Sequence, residues 1–127
     1  MSYRNILLID DDHDDTQFFV EAVQAVNKEA VCLTSENPVK ALKELETTEQ
    51  LPDIIFLDYN MPAVNGLEFL KRMGQIERLK NIEVIVLSTP PEEVMIPWLD
   101  RNNISVKYIS KPVRMEELQE ILKELFY

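Results

Sequence analysis

The sequence predicts a doubly wound α/β domain, with five parallel strands in one sheet and five helices on its two faces. Short apolar runs recur five times along the 127 residues, and segments of helical period separate them. The runs are apolar on both faces, as strands covered by helices on each side must be. The whole of residues 1–127 reads as a single domain of ordinary size.

Strand one is residues 5–9, running into five aspartates within residues 10–15. Helix one, over 14–28, sets Phe18, Phe19, Ala22, Val23 and Val26 on one face. Strand two is 30–33, and "NPVKALKEL" then offers Asn37 as N-cap and Pro38 as the first helical residue of helix two. Strand three is 53–57, followed by "NGLEFLKRM", where Leu67, Leu70 and Met73 carry the third helical face. Strand four is 82–87. The stretch "TPPEEVMIPWLDRNN" after it suits a helix start at Pro90 and Pro91, but Pro97 would remove a hydrogen bond at a cost of about 3 kcal/mol. Helix four is therefore expected to be short, kinked or restarted at Pro97. Strand five is 105–109, and Leu118, Ile121, Leu122 and Leu125 form the apolar stripe of helix five.

Composition excludes several functions. Acidic residues outnumber basic ones 23 to 13, a net charge of −10, which repels nucleic acid phosphates. With only two glycines, Gly66 and Gly74, neither a Rossmann fingerprint nor a Walker loop can be written. The lone Cys32 permits no intrachain disulfide and favours a reducing, cytoplasmic setting. No apolar run approaches a membrane span, and the start lacks a secretory signal.

In doubly wound sheets ligands bind at the carboxyl ends of the strands, near the point where strand order reverses. The residues there are Asp10 and Asp11 after strand one, Asp58 after strand three, Ser88 after strand four and Lys111 after strand five. Crowded carboxylates stay ionised cheaply only beside a cation, and an all-oxygen site with few protein ligands suits hydrated Mg²⁺. A lysine and a hydroxyl are the groups that hold phosphoryl oxygens. The set reads as a phosphoryl site without a nucleotide cradle. Asp12, Asp14 and Asp15 fall at the start of helix one, where the macrodipole stabilises anions by roughly 0.3 to 1 kcal/mol each, and are read as helix-start acids. His13, the only histidine, is read as a surface residue.

The motifs "ILLIDDD", "FLDYNMP" with Gly66 eight residues after Asp58, "VIVLST" and "YISKP" resemble, over the whole chain, the receiver domain of two-component response regulators. The resemblance implies a flavodoxin-like sheet of order 2-1-3-4-5 and a stand-alone signalling domain. It implies Asp58 as phosphoacceptor, Asp10 and Asp11 as the acidic pair holding Mg²⁺ (or Mn²⁺) together with Asp58, and the Asn60 backbone carbonyl as a further ligand. Ser88 and Tyr108 would be the switch residues, Lys111 would pair with the phosphoryl group, and the Lys111–Pro112 bond would be cis. The implied donor is a sensor histidine kinase or histidine phosphotransfer protein, and a downstream protein would read the helix four, strand five and helix five face. Met95 and Trp98 are candidates for that face. Asn102 and Asn103 stand where glycine is common before strand five, which bears on the loop shape. The chain ends just after helix five, so output through protein contacts, or phosphoryl relay onward to a histidine phosphotransfer protein, is expected. Two competing readings are a haloacid dehalogenase type phosphatase using Asp10, whose D-x-D spelling Asp10 and Asp12 permit, and an interaction module independent of phosphorylation.

Overall fold

The computed structural model describes residues 3–59, 61 and 65–127. Strands β1 (Asn5–Ile9), β2 (Val31–Ser35), β3 (Ile54–Leu57), β4 (Glu83–Ser88) and β5 (Lys107–Ser110) alternate with helices α1 (His13–Val26), α2 (Pro38–Thr47), α3 (Gly66–Gly74), α4 (Glu92–Arg101) and α5 (Met115–Phe126). The strands form one parallel sheet of order β2-β1-β3-β4-β5. Successive side chains of a strand point to opposite faces, so β3 divides its apolar residues between two cores. Ile54 and Phe56 pack under α1 and α5 with Phe19, Val23, Leu122 and Phe126. Ile55 and Leu57 pack under α2 and α3 with Leu42, Leu45 and Phe69. Phe19 and Phe56 meet with ring centroids 4.8 Å apart, and burying each contributes about 1.5 to 3 kcal/mol.

Strand β2 departs from the two-faced pattern, leaving Val31 and Leu33 52% and 65% exposed. It is one of the sheet's two edge strands, and α2 leaves these two side chains largely uncovered. Cys32, on the opposite side, packs against the α1/α5 core, and burial pushes its thiol pKa up to about 12.

The helix starts follow the local chemistry. Asp12 caps α1 by accepting from the Asp15 amide, Asn37 caps α2 from Lys40, and Asn65 caps α3 from Glu68. Gly66 is required for a different reason: a Cβ there would lie 2.7 Å from the Tyr59 ring and 3.0 Å from its Cα.

Two features around the fourth helix bear on the expectations. Helix α4 is a 10-residue segment that runs through Pro97 without restarting there. Pro97 and Glu93, whose carbonyl loses its partner, are both exposed, so water can take the place of the missing N–H. The loop after α4 also closes without glycine. Asn103 adopts the left-handed conformation with φ 58°, and the Ile104 amide donates to Leu99 O at 2.9 Å. Met95 is buried rather than on the face, and the apolar residues that α4 exposes are Val94 and Ile96. Trp98 is half-buried edge-on to Tyr59, with centroids 5.3 Å apart.

Arg78 ties the far end of α2 to the segment after α3, donating to the carbonyls of Leu45 (2.8 Å), Glu46 (2.9 Å) and Thr48 (2.6 Å). Removing a charged donor from such carbonyls costs about 1 to 3 kcal/mol. Arg78→Ala is therefore expected to lower stability by that amount in urea unfolding and to speed amide exchange at the end of α2. Unchanged exchange there would contradict the role.

Candidate functional site

The order of the sheet reverses between β1 and β3, and the crevice beyond their carboxyl ends gathers the charged residues. Backbone bonds continue past each strand and place the next residue. The Asp10 amide donates to Ser35 O (3.0 Å), Asp58 to Ile9 O (2.9 Å) and Lys111 to Ser88 O (2.7 Å). Asp10, Asp58 and Ser88 are all buried, whereas Asp11 is exposed.

The side chains converge. Ser88 Oγ donates to Asp58 Oδ1 at 2.7 Å. Lys111 Nζ donates to Asp10 Oδ2 at 2.9 Å and to Asp15 Oδ2 at 2.8 Å, and lies 3.7 Å from Asp58 Oδ2. Asp10 Oδ1 accepts from the Asp12 amide at 2.9 Å. Asp10, Asp11 and Asp58 each bring one carboxylate oxygen within 4.8 Å of the others.

Burial raises the Asp10 carboxyl to a pKa of about 6, assisted by the Asp58 charge and opposed by its hydrogen bonds with Asp12 and Lys111. Burial would lower the pKa of Lys111, but hydrogen bonds to Asp15 and Asp10 and the charge of Asp58 outweigh it and leave the ammonium above the ordinary lysine value. Tyr108 is buried, with its hydroxyl donating to the backbone carbonyls of Ser88 (3.2 Å) and Pro90 (2.5 Å). Burial and the charges of Asp58 and Glu92 hold its pKa up to about 12.

Asp10, Asp11, Asp58, Ser88, Lys111 and Tyr108 thus lie together as the sequence predicts, while Asn60 is outside the described residues. Two expectations change. The Lys111–Pro112 bond is trans; the Lys111 amide bond to Ser88 O already positions the residue. Asp15 is more than a helix-start acid, because its carboxylate accepts from Lys111. A signal for it existed: Asp15 is the third helical residue, and side chains in a helix lean back toward its N-terminus, here toward Asp10. Asp12 keeps its capping role. His13 is exposed and lies 3.3 Å from Glu36 Oε1.

The donor set fits a hard divalent cation. Three carboxylates share one mouth, and the single ammonium beside them is already bound to two carboxylates. Oxygen-only sites of this kind suit Mg²⁺ or Mn²⁺.

The model of the response regulator receiver domain matches residues 6–123. The chain is 29% identical over 119 residues to the probable C4-dicarboxylate response regulator DctR of Bacillus subtilis (strain 168), covering 94% of this chain and 50% of DctR. It is 29% identical over 125 residues to sporulation initiation phosphotransferase F of the same organism, covering 98% of this chain and 94% of that protein. Its fold is similar to that of the phosphorylated cyanobacterial phytochrome response regulator RcpA, with TM-score 0.80, 27% identity and coverage of 98% and 91% of the two chains. The chain therefore spans about half the length of DctR and nearly all of the other two.

The raised Asp10 pKa has a signed consequence. Between its ordinary value of 3.8 and about 6, the folded chain binds a proton that the unfolded chain has released. Stability from this group therefore falls as pH rises through that window. In metal-free buffer, Asp10→Asn is expected to melt higher than wild type at pH 7, with the gap shrinking toward pH 4.5. A gap that is the same at both pH values would contradict the assignment.

Proposed function

The chain belongs to the response regulator receiver family, and from that premise we propose that it takes a phosphoryl group on Asp58 and passes the change on through protein contacts. The observation that carries the proposal is the convergence of a hydroxyl and an ammonium on one buried carboxylate. Ser88 Oγ is 2.7 Å from Asp58 Oδ1, and Lys111 Nζ is 3.7 Å from Asp58 Oδ2.

A carboxylate oxygen of Asp58 attacks phosphorus in line and forms an acyl phosphate. The bond from phosphorus to the donor's leaving atom breaks, and the leaving group departs with the electron pair, as a neutral imidazole from a phosphohistidine or as a carboxylate from an acyl phosphate. The donor is a phosphohistidine of a sensor kinase or phosphotransfer protein, or a small acyl phosphate. Lys111 and Ser88 hold the transferred oxygens, replacing interactions those oxygens had with water. Asp10, Asp11 and Asp58, with the Asn60 carbonyl by the family pattern, would hold Mg²⁺ or Mn²⁺. The cation supplies charge that offsets the phosphoryl oxygens beside three carboxylates.

Ser88 and Tyr108 form the switch. The Ser88 hydroxyl leaves Asp58 Oδ1 for a phosphoryl oxygen, and Tyr108, bonded to the carbonyls of Ser88 and Pro90, links that movement to α4. The partner face is then α4, β5 and α5, where Val94 and Ile96 are exposed. The net charge of −10 disfavours direct nucleic acid contact. No helix among the described residues is long and apolar enough to cross a membrane, in keeping with a cytoplasmic place of work. The phosphatase reading loses support because Asp12, the second acid of its D-x-D spelling, is engaged as the α1 cap.

Incubation with Mg²⁺ and acetyl phosphate is expected to add one phosphoryl group by intact mass, and Asp58→Asn should abolish it. Labelling that persists in Asp58→Asn, or turnover of generic phosphomonoesters lost in Asp10→Asn, would overturn the proposal.

A further inference from the structure

Lys111 does not rest on the residue it is to serve. Its ammonium is 2.8 Å from Asp15 and 2.9 Å from Asp10, but 3.7 Å from Asp58. The two near partners differ. The Asp10 side chain is 2% exposed and also accepts from the Asp12 amide, so it is a fixed part of the strand end. The Asp15 side chain is 46% exposed and, among the described residues, accepts a hydrogen bond from Lys111 alone. Its backbone is held independently, through its amide bond to the Asp12 carboxylate. The Asp15 carboxylate therefore holds the ammonium at 2.8 Å, while the phosphoacceptor carboxylate lies 3.7 Å from it.

Resting on the proposed phosphorylation of Asp58, we propose that Asp15 is a positioning residue. It holds the Lys111 ammonium toward α1 in the unphosphorylated chain, and the phosphoryl group on Asp58 draws the ammonium away from it. A phosphoryl group on Asp58 adds an anion that competes with the Asp15 carboxylate for the ammonium. Asp15 is the partner whose loss is cheapest, because its charge is hydrated once released. Two consequences follow. Asp15 slows capture of an anionic donor, both by occupying Lys111 and by adding negative charge at the mouth. Phosphorylation also leaves the Asp15 carboxylate free at the start of α1.

The test uses the full chain with Mg²⁺ and acetyl phosphate. Loss of one half-exposed ion pair corresponds to about a two- to fivefold change. Asp15→Asn is accordingly expected to phosphorylate about two- to fivefold faster, chiefly through a lower KM for acetyl phosphate, whereas Asp15→Glu, which keeps the charge, should stay near wild type. Asp14→Asn removes an equal charge from the same helical turn without touching Lys111 and serves as the control. In wild type, the Asp15 carboxyl carbon resonance should move when beryllofluoride and Mg²⁺ occupy the site. If wild type takes up no phosphoryl group, the underlying reading fails. If wild type is phosphorylated but Asp15→Asn matches it, or Asp14→Asn accelerates equally, or the Asp15 resonance stays in place, the positioning role is refuted.

Discussion

The ion cluster around Lys111 is the constraint on which the functional end of the molecule depends. Four carboxylates, those of Asp10, Asp11, Asp15 and Asp58, share a crevice with one ammonium. Buried carboxylates without such a partner would protonate, and burial raises Asp10 to a pKa of about 6 even with Lys111 2.9 Å away. Lys111 is what makes the arrangement tolerable in the folded chain. It reaches the crevice because β5 ends beside β4, where the Lys111 amide donates to Ser88 O. Strand pairing thus decides which charges meet, and the charge excess decides what the crevice can bind.

The same backbone ties link the crevice to the face behind it. Ser88 offers its hydroxyl to Asp58 and its carbonyl to both the Lys111 amide and the Tyr108 hydroxyl. Ser88 thus ties the crevice to β5 and, through the Tyr108 hydroxyl that also bonds the Pro90 carbonyl, to the start of α4. Tyr59, next to Asp58, leans on Trp98 of α4 and closes tightly over Gly66 of α3. Few of these contacts are loose, which suits a switch between discrete arrangements better than gradual deformation.

Most of this was legible in the sequence because it rests on local pattern. Strand β3 buries all four of its residues, so its apolar run reads correctly, and Asn37 and Pro38 announce α2 by capping chemistry alone. The residues at the strand ends follow once the strands are placed. What was not legible depends on distant partners or on solvent. The Asp15 pairing joins residues 96 apart, while the local explanation, a helix-start acid, was sufficient by itself. Pro97 carries a propensity penalty that an exposed helix face relieves by hydration, so α4 runs on. The exposed apolar residues of β2 reflect its edge position, which single-strand pattern does not encode.

The account's central claim is that the crevice holds an anionic excess to be neutralised by a divalent cation beside Asp58. Calorimetric titration of Mg²⁺ into the unphosphorylated chain tests this most directly, with Asp11→Asn as comparison because Asp11 is exposed and its loss spares the fold. The account predicts one ion bound per chain, a melting temperature that rises with Mg²⁺ concentration, and loss of both effects in Asp11→Asn. Absence of saturable binding, or equal binding by wild type and Asp11→Asn, would contradict it.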